Sequence, residues 1–361
     1  MSRIGLVPFQ IASLRRLKQR RRAPLHPIIF RWDLDKTYLK TEFDSLRELM
    51  RVPFESAQDK VAVPGAVPLI KGLRETATQA GRDVRVYFMS ASPPQIAKAI
   101  KQKLVLDGVE HDGIVFKDQL QHLVRGRFRN LREQVGFKLT ELLKSRSRMP
   151  SDSREILFGD DWESDAIIYS LYADILGGRI ASDELGDVLR TIGVDPQLIA
   201  EAQERAAAAE RVEAVEKIYI NLERRTPPTR FRGLGPRLVP TFNYFQTAAC
   251  LFEAAYLALP AVARVAQTLV EDAGYTPSSL ANSLADIARR GHLNAAATTA
   301  VRDYLHEQAL LPLSGRRRVR AALWQQLKRW SEPQPAAAPA QGEAIDYRAL
   351  VAHWRAAQQK A

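Results

Sequence analysis

Five short apolar runs recur along the first two thirds of the chain: Ile28 to Asp33 (IIFRWD), Val84 to Ser90 (VRVYFMS), Gly113 to Phe116 (GIVF), Glu155 to Gly159 (EILFG) and Lys217 to Leu222 (KIYINL). Their length and their β-branched and aromatic content predict strands. Helical periodicities lie between them. One helix is expected from Gly65 toward Gly81. A second is capped by Ser92, opened by Pro93 and closed by Gly108, with Ile96, Ile100 and Leu104 on one face. A third runs from about Asn130 to Ser145, with Leu131, Val135, Leu139 and Leu142 on one side. Strands alternating with helices predict an α/β fold, a parallel sheet of about five strands covered on both faces.

The pattern changes after Gly177. Residues 181–214 read as a helical insertion before the fifth strand, with Asp195 as a cap and Pro196 as a first helical residue. From 236 to 330 the chain reads as helical throughout; Thr276 with Pro277 starts one helix and Gly291 stops it. The most apolar window, Phe245 to Val262, contains Glu253 and Pro260. An acid near the middle of a membrane span costs about 2.5 kcal/mol or more, so this window reads as a buried helix. Residues 331–344 form a Pro/Ala linker and 345–361 carry a short terminal helix. The expected organisation is a basic arm (1–27), an α/β domain (28–228), the helical region, the linker and the terminal helix.

Composition changes this picture only at the ends. The 361 residues carry 53 basic and 41 acidic side chains, a formal charge of +12. The excess sits in two acid-free stretches, Arg3 to Arg22 within residues 1–27 and Arg316 to Arg329 within 316–330, which leaves the remainder near neutrality. A protein that coats nucleic acid over its whole body is therefore not expected. The single cysteine, Cys250, excludes an internal disulfide framework and a cysteine-rich zinc site. It fits a reducing cytoplasm. The six histidines are scattered without metal-ligand spacing. The apolar residues of the N-terminal arm precede its basic run, the wrong order for a secretory signal. The arm reads either as a solvated leader or as an amphipathic segment for an anionic membrane surface.

Acids collect at two strand ends. The first strand runs into Asp33-Leu34-Asp35-Lys36-Thr37, two carboxylates two residues apart at the carboxyl edge, where open parallel sheets bind ligands. The fourth runs into Gly159-Asp160-Asp161-Trp162-Glu163-Ser164-Asp165. Its four acids repel one another unless a cation is present, and oxygen-only ligands suit Mg2+ rather than zinc. The second strand ends in Ser90-Ala91-Ser92-Pro93, which offers a hydroxyl and helix N-terminal amides to an anion. Lys138 lies on the helix before the fourth strand, beside its apolar stripe.

In order, these motifs are Asp-x-Asp-x-Thr, Ser, Lys and Gly-Asp-(x)4-Asp, and the set resembles the haloacid dehalogenase superfamily of phosphohydrolases. Ser90 to Pro93, the Val63-Pro64-Gly65 turn, Pro53-Phe54-Glu55, and Asp160 to Tyr169 are similar to the catalytic domain of the actin-patch type of phosphatidate phosphatase. The similarity covers roughly residues 28 to 180, with 215 to 228 as a further candidate stretch. It implies a Rossmannoid sheet with a small cap and a phosphatase that works through a phosphoaspartate with Mg2+. Asp33 then matches the nucleophile and Asp35 the general acid/base, whose backbone carbonyl also faces the metal. Thr37 braces the loop; Ser90 and Lys138 hold the phosphoryl oxygens. Asp160 matches the direct metal ligand and Asp165 the second. Lys36 stands where this type usually has an acid, and Asp161-Trp162 replaces a smaller pair. Both departures bear on substrate, and Lys36, Lys117 and Asp161 are candidate substrate contacts.

A short helix between residues 39 and 63 is all the cap material present, which suits large or membrane-borne phosphates. Lys117, Arg125, Arg127, Arg129 and Arg132 can meet anionic head groups or a phosphate backbone. The expected activity is hydrolysis of a phosphomonoester, phosphatidate or a related lipid phosphate, by a cytoplasmic or membrane-peripheral enzyme. The alternatives are a phosphatase of the same fold acting on nucleic-acid ends or a soluble phosphate, and an anion-binding module without activity. Basic patches do not separate lipid from nucleic acid, since both attract them.

Overall fold

The computed structural model describes residues 26–40, 61–90, 97–116, 129–162, 164–312 and 345–358. Six parallel strands form one sheet: β1 (Ile28–Asp33), β2 (Val84–Ser90), β3 (Gly113–Phe116), β4 (Arg154–Asp160), β5 (Val215–Asn221) and β6 (Leu238–Thr241), in the order β3-β2-β1-β4-β5-β6. The order reverses between β1 and β4, so the switch point of this doubly wound sheet lies between the two strands that carry the acidic motifs. The five expected strands are present. The sixth corrects the reading of 236 onward as wholly helical: Leu238 to Thr241 is too short for periodicity to reveal, and Pro240 is tolerated because β6 is an edge strand.

Alternation sorts the strands onto two cores. Phe30, Trp32, Ile156, Phe158, Tyr219 and Val239 face one, while Leu157, Ile218, Ile220 and Leu238 face the other. On the first face lie α1 (Ala66–Gln79), α2 (Ala97–Leu106), α7 (Tyr244–Glu253), α8 (Leu259–Ala273), α9 (Pro277–Arg289) and α10 (Ala295–Glu307). On the second lie α3 (Arg129–Arg146), α4 (Asp165–Leu176), α5 (Ser182–Ile192), α6 (Pro196–Ala208) and α11 (Tyr347–Gln358). The described part of the expected C-terminal helical region thus packs into the same core as α1. Trp32 and Phe158 stack at 3.9 Å between ring centroids, and Tyr244 of α7 sits 5.7 Å from Trp32.

Local signals place most helix ends. The Asp195 carboxylate accepts from the Gln197 amide ahead of α6, and Thr276 with Ser279 closes a capping box ahead of α9. The apolar window from Phe245 to Val262 is two helices, not one. Ala255, with φ +61°, turns the chain between α7 and α8, and Pro260 lies in the first turn of the second. No helix among the described residues is long and apolar enough to cross a membrane.

The central strands are joined by a buried ion network. Arg31 on β1 donates to Glu155 on β4 at 2.6 Å, and Arg146 and the Tyr172 hydroxyl reach the same carboxylate at 3.2 and 3.0 Å. Burial alone would raise the Glu155 pKa. The charges of Arg31 and Arg146 and the hydrogen bonds outweigh it and hold the carboxyl below its ordinary 4.5. The terminal helix is tied in the same way, with the Tyr347 hydroxyl donating to Asp174 at 2.7 Å.

Removing Glu155 leaves two buried guanidinium groups uncompensated. Glu155→Ala is expected to cost about 3–5 kcal/mol in urea unfolding at neutral pH. The stabilisation belongs to the ionised form, and its folded pKa is depressed. It is therefore complete above pH 4.5 and lost as pH falls through the lower folded value. The unfolding free energies of the native protein and Glu155→Gln should differ by a constant amount above that pH and converge below it.

Candidate active site

The β1 and β4 motifs meet at the switch point. Asp33 ends β1 on the face that also carries Arg31, toward α3 and α4. There the Lys138 ammonium from α3 lies 2.7 Å from Asp33 Oδ1 and 2.6 Å from Asp165 Oδ1. Asp165 opens α4, where a carboxylate is favoured by the helix dipole. Asp33, Asp160 and Asp165 offer carboxylate oxygens that all lie within 4.8 Å of one another, and these three residues and Lys138 are all fully buried.

Gly159 makes this approach possible. A Cβ at this position would fall 2.5 Å from Asp165 Oδ2 and 2.6 Å from its Cβ, so any larger residue must displace the carboxylate. The loop after β1 is held from two sides. Thr37 Oγ1 donates to Asp160 Oδ2 at 3.5 Å, a long contact, and the Tyr244 hydroxyl donates to the Thr37 carbonyl at 2.5 Å. Burial, reinforced by the charge of Asp160, keeps that hydroxyl protonated well beyond its ordinary range. The Trp162 amide donates to Asp160 Oδ1 at 2.6 Å. Asp35 is only half-buried and turns its carboxylate to Ser90, whose hydroxyl donates to it at 2.8 Å.

The donor set fits a hard divalent cation. Three buried carboxylates meet one described ammonium, which leaves an excess of acid, and carboxylate oxygens are the ligands such a cation prefers. Asp33, Asp160 and Asp165 can hold the ion. The Asp35 side chain is not part of this triad.

The structure therefore gathers Asp33, Asp35, Thr37, Ser90, Lys138, Asp160 and Asp165 at one sheet edge. Asp161 turns inward instead of toward a substrate: its two oxygens accept from the amides of Arg224 at 2.8 Å and Thr226 at 3.0 Å, fixing the loop after β5. Lys36, at φ +59°, places its ammonium 3.4 Å from the Trp162 ring centre. Lys117, Glu163, Ser92, Pro93 and the cap segment 41–60, including Pro53 to Glu55, lie outside the described residues. Motif spacing could not show the roles of Tyr244 or the Arg224 turn, which arrive from sequence far downstream.

A buried carboxylate beside a buried lysine, in an acidic triad that could hold a cation at the carboxyl edge of a Rossmannoid sheet, fits a phosphatase. Residues 32–182 match the family model of the phosphatidate phosphatase APP1 catalytic domain, so that segment is similar to a phosphatase catalytic domain. The match contains every site residue from Asp33 to Asp165 and ends before β5. A comparison with curated proteins finds no match to the chain.

Gly159→Ala is expected to leave the fold cooperative while weakening binding of a divalent cation at least about tenfold, since the carboxylate it displaces is one of the three that could hold the ion. Calorimetric titration with Mg2+ and with Mn2+ checks this, with circular dichroism as the control for folding.

Proposed function

We propose that the protein is a Mg2+-dependent phosphomonoesterase that acts through a phosphoaspartate on Asp33, with phosphatidate or a related lipid phosphate as substrate. The observation that carries the reading is the convergence of Asp33 with Asp160, Asp165 and Lys138, all four fully buried. The family description supplies the lipid substrate.

A phosphate dianion repels a carboxylate nucleophile, so the site must neutralise charge before attack. Bound Mg2+ supplies that neutralisation together with orientation of the phosphoryl oxygens. Lys138 supplies the second positive charge from within the fold. An Asp33 carboxylate oxygen forms a bond to phosphorus while the bond from phosphorus to the leaving alkoxide breaks. Asp35 delivers the proton that the leaving oxygen takes up. Ionised by that transfer, Asp35 then accepts a proton from the water that attacks the phosphoaspartate, and phosphate leaves with Asp33 restored. Ser90 suits both duties of its neighbour. Its hydroxyl donates to the Asp35 carboxylate in the resting site and can turn to a phosphoryl oxygen when substrate enters. Thr37 and Tyr244 hold the loop that carries both acids.

The test compares phosphate release from phosphatidate in mixed micelles, from a small aryl phosphate and from a 3′-phosphorylated oligonucleotide, with Mg2+ or with a chelator. Release from phosphatidate and the aryl phosphate, abolished by chelation, is expected. Asp33→Asn should lower turnover by more than about 10³-fold, and retained activity would sink the mechanism. Release from the oligonucleotide alone would remove the lipid reading. Tyr244→Phe loses the hydrogen bond to the Thr37 carbonyl and is expected to lower kcat by about tenfold with little change in KM, measured on the aryl phosphate.

A further inference from the structure

Acids dominate the site itself, yet the surface beside it is basic and aromatic. The loop after β5, residues 223–233, carries Arg224, Arg225, Arg230 and Arg232 against the single acid Glu223. All four arginines are exposed, and none forms a salt bridge among the described residues. This loop leaves the carboxyl end of β5 and is pinned there by Asp161 through the amides of Arg224 and Thr226.

Two large apolar side chains flank it. Trp162 follows the end of β4 and is 39% exposed; Phe242 follows the end of β6 and is 38% exposed. These strands are the two neighbours of β5, about 10 Å apart across the sheet, and the arginine loop leaves the strand between them. Each aromatic carries cations. Lys36 Nζ and the Arg224 guanidinium lie 3.4 and 4.7 Å from the Trp162 ring centre, and the Arg290 guanidinium lies 5.4 Å from that of Phe242. From β1 to β6 the edge thus reads Lys36, Trp162, Arg224, Phe242, with Arg290 over Phe242 and held by Asp286 at 2.9 Å.

We propose that this rim is a docking surface for an anionic lipid bilayer, seating the sheet's carboxyl edge and its site against the membrane that holds the substrate. The proposal rests on the lipid-phosphate reading for its purpose and on the rim's own chemistry for its partner. Aromatic side chains settle at the headgroup level, and neighbouring arginines reach lipid phosphates. Nucleic acid also attracts arginines, but single-strand binding needs free aromatic faces for base stacking. The Trp162 π surface is already engaged by two cations at close range, which favours a role for the ring at an interface over a role as a stacking platform.

The full chain carries its own means of testing this. Its one cysteine, Cys250, is buried and its thiol is pushed up to about 12, so a thiol-reactive fluorophore will select a cysteine introduced by Phe242→Cys. A control, Val105→Cys, places the label at a 75% exposed position on α2, at the opposite edge of the sheet. The vesicles are phosphatidylcholine with about a third phosphatidylserine, free of phosphatidate, at low and high salt. A blue shift of the Phe242→Cys label, absent for Val105→Cys, absent with phosphatidylcholine alone and weakened by salt, is expected. Adding Arg225→Glu and Arg230→Glu should raise the lipid concentration at half-shift by at least about tenfold. Turnover of the aryl phosphate should stay within about twofold in these variants, reporting an intact fold.

A shift at both labels or at neither would overturn the proposal, as would a shift given by a single-stranded oligonucleotide but not by vesicles. Docking through a basic terminal arm alone would leave the Phe242→Cys label silent. Because the vesicles hold no substrate, this outcome is independent of whether phosphatidate is hydrolysed.

Discussion

The constraint on which the site depends is electrostatic. Three carboxylates, each fully buried, converge within 4.8 Å, and one buried lysine lies against two of them. Such a cluster is unfavourable for folding by itself, since desolvation and like-charge repulsion act in the same direction. Lys138 offsets part of that cost, and a bound hard cation would offset the rest. The excess of negative charge is thus both the structural liability and the chemical asset, because the cation it demands is what a phosphate dianion requires. Gly159 belongs to the same account. Side-chain volume on the β4 face where α4 begins would keep Asp165 out of the cluster.

The matched segment does not hold this cluster alone. Residues 32–182 supply the acids, the serine and the lysine, but the loop bearing Asp33 and Asp35 is fastened by Tyr244 from α7. The same helix packs against Trp32 and, with α8, closes over Gly65, where φ is +88° and an added Cβ would meet Tyr244 and Val265 at 3.1 and 3.2 Å. Glycine there meets two needs at once, a left-handed turn before α1 and a close helix approach. The helices after residue 243 therefore do structural work for the catalytic loop.

Much of this could be read from residue order. The β1, β2 and β3 bounds agree with the apolar runs because short buried strands in a parallel sheet leave uninterrupted β-branched and aromatic stretches. The acidic motifs were legible for a related reason: charge at the end of such a run has few structural uses. Other features depend on partners remote in sequence. Arg31 sits in the middle of a strand and only its Glu155 and Ser145 partners, 124 and 114 residues away, explain how a guanidinium is buried there. Asp161 is expected by position to be a substrate contact, whereas its oxygens serve backbone amides 63 and 65 residues downstream. The four-residue β6 is too short to show a period.

The two departures from the family pattern, Lys36 and Asp161-Trp162, acquire a common physical meaning from these contacts. Lys36 reaches the Trp162 ring, and Asp161 anchors the turn that brings Arg224 to the same ring. Either change alone would leave a stray cation or an exposed indole; together they form one cation–aromatic unit beside an acidic site. That arrangement separates two electrostatic demands in space. The buried acids would hold a metal ion and meet the phosphoryl group, while the half-buried Lys36 and the exposed Arg224 would meet whatever carries that group. A substrate embedded in an anionic surface makes both demands at once, since the approach needs positive charge and the chemistry needs a cation held by negative charge.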